Sequence, residues 1–111
     1  MADTVLLYVT CRDADEAAKI GEALVQESLA ACANILPGIR SIYRWEGRLE
    51  HANEAVLILK TRLALADDAT VRVKALHSYQ VPAILVLPVE GGDRDYLNWI
   101  NAQLDPRLNR G

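Results

Sequence analysis

In GIRSIYRWEGRLEHANEAVLILKT, residues 38–61, apolar and polar side chains alternate on either side of a turn. Ile39, Ser41, Tyr43 and Trp45 fall on one side of an extended strand, with Arg40, Ile42 and Arg44 on the other, the period of two that a β-strand imposes. Glu46 and Gly47 supply the turn, and AVLILKT, residues 55–61, returns as a buried strand, so the segment reads as a long β-hairpin. Pro37 and Gly38 interrupt its first arm, where a bulge or bend fits better than regular pairing, and Asn53 and Glu54 mark an irregularity on the return arm.

The flanking sequence completes a repeating order. VLLYV, residues 5–9, is a short apolar run suited to a central strand. Asp13 and Glu16 form a capping-box-like start for a helix carrying Ala17, Ile20, Leu24 and Leu29 inward, with its end expected near Ala30 or Ala31. After the hairpin, a second helix runs from Ala64 to about His77 with Leu65, Ala69, Val73 and Leu76 on its inner face. VPAILVLPV, residues 81–89, is a further strand. Asp93 caps a short third helix that directs Tyr96, Leu97, Ile100 and Leu104 inward, and DPRLNRG, residues 105–111, reads as a fraying tail. The order β-α-β-β-α-β plus a terminal helix predicts an α+β, ferredoxin-like fold, one domain over residues 1–111, with both main helices on one face of an antiparallel sheet.

The hairpin carries a second implication. Arms of ten or more residues at ~3.3 Å each reach about 35 Å, whereas a domain of this size has a radius of gyration of about 13 Å. The tip therefore projects, and Tyr43 and Trp45 near it expose apolar area that another subunit would cover. The alternative is that these aromatics pack on the chain's own helices, the third helix above all.

Bulk properties narrow the function classes. A net charge of −3 gives no broad positive field for a phosphate backbone, so no nucleic-acid partner is expected. No window approaches the ~18 uninterrupted apolar residues of a membrane span, and the start of the chain lacks a signal-peptide pattern, so a cytoplasmic protein without a membrane partner is expected. Cys11 and Cys32 read as free thiols. An enzyme is not expected: no Ser-His-Asp set, HExxH motif or Gly-rich phosphate cradle is evident, and RRM base-stacking motifs are absent as well.

Several stretches together carry a resemblance: LAACANILPGIRSIYRWEGRLE (29–50), VLILKT (56–61), HSYQVPAILVLPV (77–89) and YLNWI (96–100). In order and spacing they resemble the CutA divalent-cation-tolerance family over nearly the whole chain. The resemblance implies a homotrimer in which the hairpins extend sheets between neighbouring subunits, an assembly similar to that of PII signalling proteins. It also implies a role in tolerance of divalent cations, copper in particular. A second expectation from the same assembly is a PII-like sensor or scaffold, binding a small molecule or partner protein in the cleft between subunits.

The candidate residues follow from both lines. Relatives for which copper ligation is proposed hold a Cys and the second of two adjacent His residues where this chain has Cys11 and His77; Leu76 replaces the first His, Ser78 stands where HPY would place its Pro, and Ala83 replaces a Glu. Thiolate and imidazole suit copper, so Cys11 and His77 are the candidate ligands for copper or another divalent cation, one ligand short unless a subunit boundary completes them. The competing readings are a helix-ending histidine and a buried apolar thiol. Cys32 is expected in the core and His51 in a solvated turn. Tyr43, Trp45 and Tyr79 are candidates for the subunit interface, and Lys60 with Thr61 for a ligand in the cleft.

Overall fold

The structure, a computed structural model, describes residues 3–105. Its elements are β1 (Thr4–Cys11), α1 (Ala14–Gln26), β2 (Cys32–Trp45), β3 (Arg48–Arg62), α2 (Leu63–Leu76), β4 (Ile84–Pro88) and α3 (Arg94–Gln103). They form one antiparallel sheet in the order β2-β3-β1-β4. This is the ferredoxin-like α+β arrangement expected from the sequence.

Strand alternation sends Val5, Leu7, Val9 and Cys11 of β1, with Ala55, Leu57 and Leu59 of β3, into a core closed by Ala17, Ile20 and Leu24 of α1 and Ala66, Ala69 and Val73 of α2. The helices are tied to each other outside that core by a two-pronged Arg72–Glu27 pair at 2.9 and 3.0 Å. The same alternation turns Leu6, Tyr8, Ile58, Leu85 and Leu87 to the opposite face of the sheet. There, Leu36, Leu85 and Leu87 remain 50 %, 57 % and 41 % exposed.

The hairpin turn contains only Glu46 and Gly47, both at positive φ (50° and 79°), which matches the right-handed twist of the two strands. The bulge falls where Pro37 and Gly38 predict it: Leu36 pairs with Val56 and Ile39 with Glu54, so two residues of β2 oppose Ala55 alone. The longest dimension of the molecule is 46 Å and its radius of gyration 14.7 Å, above the ~13 Å of a compact chain of this length. Tyr43 and Trp45 stay 43 % and 53 % exposed, and α3 packs elsewhere, its Ile100 and Leu104 against Ala31.

Five expectations need correction. Leu76, read on the inner face of α2, is exposed, because it is the last residue of the helix, beyond the buried row Ala66, Ala69 and Val73. α1 ends at Gln26, because Ser28 takes a left-handed conformation (φ 61°) and the N–H groups of Leu29 and Ala30 both return to the Leu24 carbonyl. β4 begins at Ile84, since Pro82 has no N–H to pair and Val81 lies exposed. Tyr96 turns outward, stacked on Trp99 with ring centres 5.6 Å apart and accepting a hydrogen bond from Lys60 at 3.0 Å. Cys32 is half-buried at the start of an edge strand rather than in the core. The expected tail at residues 106–111 lies outside the described residues.

Candidate metal centre

The end of β1, the first turn of α1 and the end of α2 meet at one corner of the core. β1 delivers Cys11, fully buried. Asp13 caps α1 by accepting the Glu16 N–H at 2.8 Å, and that cap turns the Glu16 carboxylate back toward β1. His77 caps the end of α2, where its own N–H donates to the Lys74 carbonyl. A Cys11 sulfur, a Glu16 oxygen and a His77 ring nitrogen consequently lie within 4.8 Å of one another.

Each group is already engaged. Glu16 accepts from the Arg12 N–H and the Ser78 N–H, both at 2.8 Å. Burial alone would push its carboxyl up, but bonds from the Ser78 hydroxyl and from the Ser78 and Arg12 N–H groups outweigh it and hold the carboxyl below its ordinary range. The Cys11 thiol is pushed up to about 12, first by burial and then by the charges of Glu16, Glu54 and Asp13. His77 Nε2 lies 2.8 Å from the Thr10 carbonyl oxygen, and His77 Nδ1 accepts the Tyr79 N–H at 3.0 Å. The Tyr79 ring leans on the imidazole, centres 4.8 Å apart, and its hydroxyl donates to the buried Glu54 carboxylate at 2.6 Å. Burial, and next that carboxylate, raise the Tyr79 hydroxyl above the ordinary phenol range.

Sulfur, nitrogen and oxygen donors in one buried corner fit a borderline cation such as zinc or copper. Thiolate, not thiol, is the ligand. A cation held here would take the place of the Cys11 proton and compensate the carboxylates that keep that proton on. A groove of about 350 Å³, lined by Arg12, Asp15, Lys19, Ile20, Leu76 and Ser78 together with Glu16, opens beside the cluster.

The family model described as CutA1 divalent ion tolerance protein matches residues 5–103. The chain belongs to that family. A divalent-cation tolerance protein CutA from Thermus thermophilus is 45 % identical over 100 residues, covering 90 % of this chain and 95 % of the relative. The chloroplastic Protein CutA of Arabidopsis thaliana is 43 % identical over 97 residues, which are 87 % of this chain but 53 % of the plant protein, so the chain spans about half the length of that relative. Among solved structures, CutA from Xylella fastidiosa superposes with a TM-score of 0.90 at 41 % identity, covering 94 % of this chain and all of that one. A protein from Archaeoglobus fulgidus described as a periplasmic divalent cation tolerance protein gives 0.89 at 37 % identity, covering 92 % and 99 %. The fold is thus the PII-like, ferredoxin-like fold of CutA1 structures. The named compartments differ between relatives, and among the described residues no helix is long and apolar enough to cross a membrane.

The structure brings two sequence candidates, Cys11 and His77, together and adds two carboxylates that sequence reading did not assign to the site. Glu16 was legible only as a helix cap, since its bond to Ser78 spans 62 positions. Glu54, in the sequence a mark of an irregular strand and one of several hairpin carboxylates able to offer oxygen to a hard cation, gave no sign of a place at this corner. Tyr79 lies half-buried against its own His77 and Glu54. Lys60 reaches Tyr96 at the other end of β3, while Thr61, its neighbour, points to the opposite face and is fully buried. His51 is exposed, as expected, but lies within β3 opposite Ile42 rather than in the turn.

Proposed function

We propose that the protein is a homotrimeric, cytoplasmic cation-binding protein that contributes to tolerance of copper or another divalent cation, with Cys11, Glu16 and His77 as the ligands each chain supplies. The observation that carries this reading is the convergence of three unlike donors within 4.8 Å in a buried corner. Glu16 supplies the third ligand that the sequence lacked where Leu76 stands. The activity assigned is binding rather than catalysis: Cys11 holds its proton up to about pH 12 and both His77 nitrogens are bonded, so neither is poised as nucleophile or base. Free thiols at Cys11 and Cys32 suit a reducing compartment.

The apolar outer face of the sheet and the projecting hairpin support assembly with further copies, and the family resemblance supports three. In that assembly Tyr43 and Trp45 meet a neighbouring chain. A PII-like small-molecule sensor is the second reading, favoured by Lys60, whose ammonium lies 5.1 Å from the Tyr96 ring centre on an exposed aromatic pair where an anion could be held beside a neighbouring chain.

Equilibrium dialysis against zinc or cuprous ion under reducing conditions tests the first reading. One ion per chain in the wild type is expected, with affinity at least roughly tenfold weaker in Cys11→Ser, Glu16→Gln and His77→Gln, as the loss of one of three ligands predicts. Equal affinity in all four proteins would remove the site.

A further inference from the structure

Several bonds fasten the irregular segment after α2, that from the Thr10 N–H to the Ala83 carbonyl at 3.3 Å among them. The Ser78 N–H donates to Glu16 at 2.8 Å, the Tyr79 N–H to His77 Nδ1 at 3.0 Å, and the Tyr79 hydroxyl to Glu54 at 2.6 Å. The middle bond sets the His77 tautomer. Nδ1 accepts, so the ring proton sits on Nε2 and points at the Thr10 carbonyl 2.8 Å away. A neutral imidazole has one lone pair and one N–H, and both are in use.

We propose that a cation held by Cys11, Glu16 and His77 frees the Tyr79 N–H from His77 and thereby loosens the 78–83 segment against the root of the β2–β3 hairpin. The proposal rests on the cation-binding reading above. Two routes exist by which His77 could ligate, and they share this outcome. Ligation through Nδ1 takes the lone pair that Tyr79 uses. Ligation through Nε2 requires the neutral ring to carry its proton on Nδ1, where it meets the Tyr79 N–H donor to donor.

Of the other partners only the Thr10 carbonyl loses a donor, and only where Nε2 is the ligating atom. A carboxylate offers about four lone-pair sites, so Glu16 keeps its bonds to Arg12 and Ser78 while a further oxygen lone pair is engaged. Thr10 belongs to the central strand, opposite Val56, and its own N–H is bonded to the Ala83 carbonyl. Tyr79 lies in no regular element. It is therefore the joint at which the strain of ligation is relieved.

The far end of the same side chain explains where the change goes. Glu54, which accepts the Tyr79 hydroxyl, pairs with Ile39, the first residue beyond the bulge at which the hairpin leaves the body of the sheet. Cation occupancy in the core is in this way reported to the base of the element that projects from the protomer, through one side chain and without a hinge elsewhere.

The full-length protein, labelled with nitrogen-15 and titrated with redox-silent zinc, tests the coupling by NMR. In the zinc-saturated protein the Tyr79 amide is expected to exchange roughly tenfold faster, the factor that loss of one hydrogen bond implies. Glu54 and Ile39 resonances should shift with it. Tyr79→Phe, which keeps the ring but not the hydroxyl, should bind zinc and still lose amide protection at position 79 while Glu54 and Ile39 no longer respond. Zinc bound at the site with Tyr79 protection unchanged overturns the coupling and leaves the site standing. Zinc bound equally by wild type and His77→Gln, or by neither, overturns the cation reading and this inference with it.

Discussion

Glu16 ties the start of α1 to a segment 62 positions away through charge-assisted hydrogen bonds, from Arg12 before the helix and from Ser78 after α2. Glu16→Ala leaves two backbone donors without it and is expected to lower stability by about 1–3 kcal/mol, read as a melting temperature several degrees lower; an unchanged melting temperature would contradict the assigned bonds. The sign with pH also follows. The folded carboxyl titrates below its ordinary 4.5, so its contribution is complete above that value and disappears as pH falls through the lower folded one. Wild type should therefore lose more stability than Glu16→Ala on acidification below about pH 4.5. Cys11 behaves oppositely: its pKa rises from 9.0 to about 12, so the folded state holds its full contribution below pH 9 and loses it as pH climbs toward 12. In the cation-free protein at pH 8, an alkylating reagent followed by peptide mass mapping should mark half-exposed Cys32 and spare Cys11 until the chain unfolds. Rapid modification of both would show that the corner is open.

At the scale of elements, α1 lies so close to the sheet that one position excludes any side chain. A Cβ at Gly21 would sit 2.8 Å from the Ala33 Cβ of β2 and 3.2 Å from Leu57 Cδ1 of β3. Alanine there gains about 1 kcal/mol of helix propensity, yet Ala33 is fixed to its strand and cannot turn aside. Gly21→Ala should be net destabilising by about 1–3 kcal/mol; a more stable variant in urea denaturation would show that α1 shifts freely. The hairpin was readable because its signals are local: alternation through Trp45, a turn at Glu46 and Gly47, and a Pro-Gly bulge. The order of elements followed from the same kind of signal. What sequence could not supply was long-range. Ser28 ending α1 early through a left-handed turn, Tyr96 facing out onto Lys60, and Glu16 reaching Ser78 all depend on neighbours that no periodicity records. Cys11 and His77 followed from the preference of copper for thiolate and imidazole together with family resemblance; their meeting with Glu16 is a product of packing at the end of β1.

On the scale of the whole molecule, the helices cover one face of the sheet and leave the other apolar. A sheet buried on one face only normally presents polar residues on the other. Here Leu6, Tyr8, Ile58, Leu85 and Leu87 occupy it, and the short strand β4 leaves an open edge. Exposed apolar area of this kind marks an interface, in keeping with the proposed assembly of further copies of the chain. Leu87→Lys places a charge in that face without touching the core between sheet and helices. Sedimentation should then report a single-chain mass for the variant, with secondary structure by circular dichroism retained, against a multiple of it for wild type. A wild type that sediments as one chain would contradict the assembly. In the proposed coupling Tyr79 links the buried corner to the root of the hairpin, the element that projects from the body of the sheet.

Anomalous diffraction at the zinc edge, from crystals grown with zinc, would locate a cation at the Cys11–Glu16–His77 corner without any assumption about coupling or assembly. One strong peak per chain is expected, bounded by Cys11 Sγ, the Glu16 carboxylate and the His77 ring. Peaks confined to surface residues such as His51, with that corner empty, would contradict the proposed site.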